Sequence, residues 1–150
     1  MTAIPETVTS DAQSLSSVDP HYYTINGPLD APSVRILGSR CADTGRTFWP
    51  RRRYSPVTGG AVSDVELVGK GKIWSWTYVN LPWMGEFAPS SAPGYGVALV
   101  DLDDEGPRVV GMLIGDEGAY AVGDRVQAHA LPIRRNGDEY DAMLAFRKDV

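Results

Sequence analysis

YGVALVDLDDEGPRVVGMLIGD, residues 95–116, is the stretch on which the reading of the fold turns. Tyr95 to Leu102 and Arg108 to Ile114 are runs rich in β-branched and apolar residues, and Asp103-Asp104-Glu105-Gly106 between them is a polar, glycine-closed turn. That is the signature of a β-hairpin. Upstream, Lys72 to Asn80 alternates, with Ile73, Ser75, Thr77 and Val79 on one face and Trp74, Trp76 and Tyr78 on the other, so both faces are expected to be covered. Asp64 to Val68 precedes it across Gly69-Lys70-Gly71, and Asp124 to Leu131 follows the hairpin as another strand. Glu139 to Phe146 reads as a last strand or a short helix. Short strands at regular spacing without a convincing amphipathic helix predict a mainly β fold, a five-stranded OB-like barrel.

The rest of the chain is organised around that barrel. Residues from Met1 to about Pro20 are rich in Ser, Thr, Asp and Ala and are expected to form a mobile tail, followed by an aromatic arm, HYYTINGPLDAP, at 21–32. The expected division is a tail and arm over 1–33, a ribbon-like segment over 34–62 and the OB-fold over 63–150. Leu81 to Gly94, with three prolines, reads as a long loop. Its Trp83, Met84 and Phe87, together with Tyr22 and Tyr23 of the arm, are the expected partner-interface residues, because exposed aromatics call for a partner.

Composition narrows the function. The 150 residues are 43% hydrophobic and 22% charged, enough for one domain with a real core. Fourteen Lys and Arg against nineteen Asp and Glu give a net charge of −5, which disfavours polyanion binding through the overall field. No apolar run nears the ~20 residues of a membrane span, the first residues lack the features of a signal peptide, and a single cysteine rules out a disulfide scaffold. The expected location is the cytoplasm.

Two knuckle-like segments, Cys41-Ala42-Asp43-Thr44-Gly45 and Ser55-Pro56-Val57-Thr58-Gly59, each hold a pair of positions three apart followed by glycine. In a zinc ribbon each pair would be C-x-x-C, whose thiolates reach one tetrahedral ion at about 2.3 Å. Here the positions are Cys41, Thr44, Ser55 and Thr58, and neutral hydroxyls are very poor zinc ligands, so no structural metal is expected. Cys41 and the two histidines, His21 and His129, lack any sequence evidence of a catalytic arrangement. Asp101, Asp103, Asp104 and Glu105 begin like a calcium loop, but the twelfth position is Met112 rather than a bidentate glutamate. Gly69-x-Gly71 and Gly94-x-Gly96 lack the remainder of a dinucleotide fingerprint. Arg40, Arg46, Arg51, Arg52 and Arg53 crowd into fourteen residues beside one acid, Asp43. Arg46 and Arg51–Arg53 are candidates for contact with phosphate groups or an acidic partner surface, against the alternative of a solvated basic face.

The succession GSRCADTGRTFWPRRRYSPVTGG, VELVGKGKIWSWTYVNLP, YGVALVDLDDEGPRVVGMLIGD, YAVGDRVQAH and the pair Phe146-Arg147 resembles the family of thiolase-associated proteins that join a rubredoxin-like zinc ribbon to a C-terminal OB-fold. The likeness runs over roughly residues 34 to 147 and departs from the family at the ribbon cysteines. It implies a non-catalytic accessory subunit of a thiolase-fold enzyme, in a hetero-oligomer whose partner supplies nucleophile and base. The complex would act on coenzyme A thioesters, whose phosphates Arg46, Arg51, Arg52 and Arg53 could contact, by thiolytic or Claisen-type acyl transfer or by retro-aldol cleavage of side chains such as those of sterols. No cofactor bound by this chain and no membrane partner are implied. The competing class is an OB module for single-stranded nucleic acid, suggested by Phe48, Trp49, Trp74, Trp76 and Trp83 near basic residues.

Overall fold

The computed structural model describes residues 14–28, 30–80 and 94–149. It contains strands and turns only among these residues: β1 (Ser14–Ser17), β2 (Tyr23–Asn26), β3 (Ser33–Cys41), β4 (Thr47–Phe48), β5 (Val62–Leu67), β6 (Lys70–Val79), β7 (Tyr95–Leu102), β8 (Arg108–Leu113), β9 (Arg125–Asn136) and β10 (Glu139–Lys148). The segment left open between strand and helix, Glu139 to Phe146, is a strand.

Five strands close the barrel. β6 pairs antiparallel with β7, and β7 with β8; β8 runs parallel to β10, β10 antiparallel to β9, and β9 returns antiparallel to β6. This is the OB-fold arrangement, and it leaves no free edge among the five. The hairpin that opened the reading is β7–β8, with Val100 opposite Val109 and Asp101 opposite Arg108. Along β7 the alternation is strict, with Gly96, Ala98, Val100 and Leu102 turned inward. Val109, Val126, Leu144 and Phe146 fill the same interior. The ring of Phe146 lies where a Cβ on Gly111 would sit, 2.7 Å away, so β8 carries glycine at the point where that ring crosses it.

The alternation expected along Lys72 to Asn80 breaks once. Ile73 stands opposite Val100 and is buried, but the register slips between Ile73 and Ser75, and beyond it Trp76 stands opposite the buried Ala98. This β-bulge moves the inward set from odd to even positions and leaves Trp74 half exposed, at 50%. Trp76 packs against the core instead of a second covered face.

A smaller sheet leans on the barrel. β3 is its centre, with β2 and β4 on one edge and β5 on the other. Val62–Leu67, which overlaps the run assigned to the start of the OB segment, pairs with β3 in this sheet, and the barrel strands begin at Lys70. The expected tail gives way earlier than Pro20: Ser14–Ser17 form a strand parallel to β10, with Leu15 opposite Tyr140 and buried. A short polar run is ordered here because one leucine reaches the common core and its backbone groups are taken by the edge of β10. Leu15, Tyr23, Ile25, Ile36 and Leu67 join the barrel interior in one hydrophobic cluster, so the small sheet and the barrel share a core.

Candidate functional site

The two knuckles are built alike. In the first, Gly45 N–H donates to the Cys41 carbonyl at 2.9 Å, and Cys41 N–H to Arg46 at 2.8 Å; in the second, Gly59 N–H donates to Ser55 at 2.9 Å, and Ser55 N–H to Gly60 at 2.9 Å. Gly45 and Gly59 both have φ of 73°, the left-handed turn that a side chain strains. The two turns therefore share one backbone pattern, and Thr44, Ser55 and Thr58 come together around Cys41.

Their chemistry does not fit zinc. One thiol and three neutral hydroxyls replace four thiolates, and the hydroxyls are committed to hydrogen bonds. Thr58 Oγ1 donates to Asp43 Oδ2 at 2.9 Å and accepts from Gly60 N–H at 3.1 Å. Ser55 Oγ accepts from the N–H groups of Val57 and Thr58, so its own proton is left for the sulfur. Cys41 Sγ lies 3.7 Å from Thr58 Oγ1. Hydrogen bonding, from Ser55 first and then Thr44, lowers the Cys41 thiol to about 6 against the opposing effect of burial. The side chain is buried. Among the described residues no cluster of three or more His, Cys, Asp or Glu side chains is placed to hold a metal ion.

The arginine run divides. Arg46 faces the β7–β8 turn across a polar cleft of about 350 Å3 lined also by Arg40, Asp104 and Glu105. Arg51, Arg52 and Arg53 line a separate cleft of about 480 Å3 with His21 and Asp64. Arg51 is held there: its Nε donates to the His21 carbonyl at 2.9 Å and its Nη1 reaches Asp64 at 3.3 Å. The backbone of Arg52 is clamped by the fully buried Ser39, whose Oγ accepts from Arg52 N–H at 2.7 Å and donates to the Arg52 carbonyl at 3.3 Å. Among the described residues Arg52 and Arg53 have no ion pair.

One ridge separates this basic cleft from an apolar groove. His21 and Tyr22 are adjacent in the chain, as are Trp49, Pro50 and Arg51; the Tyr22 and Trp49 rings meet edge to face at 5.9 Å, and Trp49 Nε1 donates to the Tyr22 carbonyl. Tyr22 and Trp49 wall a groove of about 390 Å3 over the outer surface of the barrel, with Val97, Val110, Met112 and Met143 among the residues that line it. Of the residues expected at an interface, Tyr22 borders this groove, while Tyr23 lies largely in the core, with only a small part of it reaching the wall. Trp83, Met84 and Phe87 fall outside the described residues. The groove itself went unread in the sequence. Its signal was present in β8, where Val110 and Met112 are apolar on the face away from the barrel interior, so that both faces of one strand are apolar.

The other candidate groups are occupied structurally. Asp101 accepts two bonds from Arg108, whose guanidinium lies 3.6 Å from the Trp74 ring centre. Arg125 grips Asp103 and holds that carboxyl below the usual carboxylate range. The acidic turn is thus pinned by arginines. His129 is half-buried on β9, with Nδ1 3.0 Å from the Ala130 carbonyl.

A family model described as "ChsH2, C-terminal OB-fold domain" matches residues 64–130. A DUF35 domain-containing scaffold protein of Methanothermobacter thermautotrophicus is 33% identical over 107 residues, covering 69% of this chain and 77% of that protein. Its counterpart in Methanocaldococcus jannaschii is 29% identical over 112 residues, covering 69% and 73%. Among solved structures, a chain of the "Ltp2-ChsH2(DUF35) aldolase" superposes with a TM-score of 0.61 at 27% identity, over 77% of this chain and 86% of that one. A DUF35 protein of Sulfolobus solfataricus shares the fold, with a TM-score of 0.50 at 21% identity over 77% and 76% of the two chains. With its closed OB barrel, its paired knuckles and these relatives, the chain belongs to the DUF35 family of OB-fold scaffold proteins.

Proposed function

We propose that this chain is a non-catalytic accessory subunit of a thiolase-fold enzyme acting on coenzyme A thioesters in the cytoplasm, and that the complex gains its assembly and activity from it. The observation that carries the reading is the likeness to a chain of the Ltp2-ChsH2(DUF35) aldolase, which extends over 86% of that chain. Among the described residues the one thiol is buried among hydroxyls and His129 is set against a backbone carbonyl. Retro-aldol cleavage of an acyl-CoA side chain, including a sterol's, is the reaction of this reading. Tyr22 and the groove it borders belong to the docking face, together with Trp83, Met84 and Phe87. Arg46 and Arg51–Arg53 serve as contacts for the thioester's phosphates or for the partner.

The nucleic-acid alternative is weaker on the same surfaces. OB-folds take oligonucleotides on the second and third barrel strands, here β7 and β8. That face presents Val97, Val110 and Met112, and its arginine, Arg108, is neutralised by Asp101. The test is an assay of thioester cleavage with this chain, a thiolase-fold protein from the same genome, and both together. Turnover only in the mixture supports the accessory role; equal turnover by the partner alone, or turnover by this chain alone, contradicts it.

A further inference from the structure

We infer that Asn136, at the tip of the β9–β10 hairpin, is a self-modifying site: its side-chain amide is lost through attack by the Gly137 nitrogen, and the product loosens the hold of the barrel on β1. Asn26-Gly27 and Asn136-Gly137 are the two Asn-Gly pairs of the chain. Glycine, with no Cβ, least obstructs attack by its own amide nitrogen on the preceding side chain. Folding treats the two pairs differently. Gly27 is tied down: its carbonyl accepts from Leu15 N–H at 3.3 Å, Pro28 after it bridges to Ser14, and a Cβ there would lie 3.3 Å from the Ala31 carbonyl. Gly137 is open. With Asp138 it forms an exposed two-residue turn between Asn136 and Glu139, and nothing lies within 4 Å of a Cβ built on it. Its φ is 64°, and its N–H has no acceptor among the described residues.

The step needs only water as co-reactant. The Gly137 amide nitrogen bonds to Asn136 Cγ and gives up its proton, the Cγ–Nδ2 bond breaks, and ammonia leaves behind a five-membered cyclic imide. Water then opens the imide at Cγ, giving aspartate, or at the main-chain carbonyl, giving isoaspartate with one more carbon atom in the backbone. The extended backbone of Asn136 must turn before the attack. A hairpin tip supplies that motion at low cost, because opening it parts only the Asn136–Glu139 pair.

The consequence is set by Asp141. Asn136 Nδ2 donates to Asp141 Oδ1 at 3.5 Å, while Arg134 holds Oδ2 through Nε at 2.9 Å and Nη2 at 2.5 Å. Asp141 is 8% exposed and sits where the β9–β10 ladder slips, between Asp141 and Ala142. Loss of the amide puts a second carboxylate where this one had a donor, and two like charges so close and so little hydrated repel. The residues disturbed, Glu139 to Ala142, are those on which Ser14–Ser17 dock. β1 is therefore the element released.

The test is incubation of the purified full chain in mildly alkaline buffer, folded and in urea, with peptide mass mapping by a fragmentation that separates aspartate from isoaspartate. In the folded chain Asn136 is expected to react within about tenfold of its rate in urea, and Asn26 to be retarded about tenfold more than Asn136. Amide hydrogen exchange at Leu15–Ser17 should quicken in the aged chain and stay slow in aged Asn136→Gln, whose ring closure is one atom larger and far slower. Asn136→Asp should lower the urea midpoint, and lower it less in an Asp141→Asn background. An Asn136 that stays intact while the urea sample reacts, or equal retardation at Asn26 and Asn136, overturns the proposal. So does a modified chain whose β1 exchanges as slowly as before.

Discussion

At Cys41 three hydroxyls stand where a zinc ribbon has three further thiolates, and the consequence is an acidic, buried thiol. Ser55 is the strongest of these donors because its lone pairs already accept two backbone N–H groups and its proton is left for sulfur. Ser55→Ala is expected to move the thiol back up toward its ordinary value, read as the midpoint of thiolate absorbance at 240 nm. The folded value of about 6 lies below the ~8.5 of an exposed cysteine, so between these values the unfolded chain binds the extra proton. Stability contributed by the thiolate is therefore fully present above the upper value and is lost as pH falls to 6. Cys41→Ser should flatten the rise of the urea midpoint between pH 6 and 9, and an unchanged slope would count against the hydroxyl ring as the cause. Burial keeps this thiolate slow toward alkylating reagents despite its charge.

At the level of the elements, hydrogen bonds hold the knuckles where a metal would. Thr44→Cys, Ser55→Cys and Thr58→Cys together should restore a tetrathiolate site binding one zinc per chain, measured by metal analysis after dialysis against a mild chelator. The unchanged protein should retain none; stoichiometric zinc in it would refute the hydrogen-bonded account. The same scale explains what the sequence made legible. The β7–β8 hairpin could be read because its alternation is unbroken and its turn is polar, and the knuckles because glycine follows each pair. β6 was misread in its second half because a bulge at Trp74 is a one-residue slip that period-two patterning does not mark. β1 was missed because four residues with a single apolar side chain carry no periodicity, and its order comes from β10. Leu15→Ala, which empties a buried site, is expected to destabilise the chain by about 2–4 kcal/mol in urea unfolding, where a mobile tail would give no change. Gly71→Ala should also destabilise, by about 2 kcal/mol or more, because its Cβ would clash with the Asp101 carbonyl and the β6–β7 pairing would have to open.

Across the whole molecule, a closed barrel and a leaning sheet share one core and bring together groups distant in sequence. Tyr22 and Trp49 arrive at the barrel wall from two segments of the small sheet's side, and the arginines that are neighbours in the chain part company, Arg46 toward the β7–β8 turn and Arg51–Arg53 to the far side of the ridge. That separation and that convergence are properties of the tertiary fold, which is why composition alone marked a basic cluster but not the groove beside it. The relatives it resembles are described as DUF35 domain-containing scaffold proteins. The central claim is that this scaffold completes a thiolase-fold enzyme. The decisive measurement is co-expression of the tagged chain with the thiolase-fold proteins of its own genome, affinity purification, and light-scattering mass of the eluate. A stable species whose mass requires both chains is the predicted result; elution of this chain alone, with every candidate partner expressed and soluble, would contradict it.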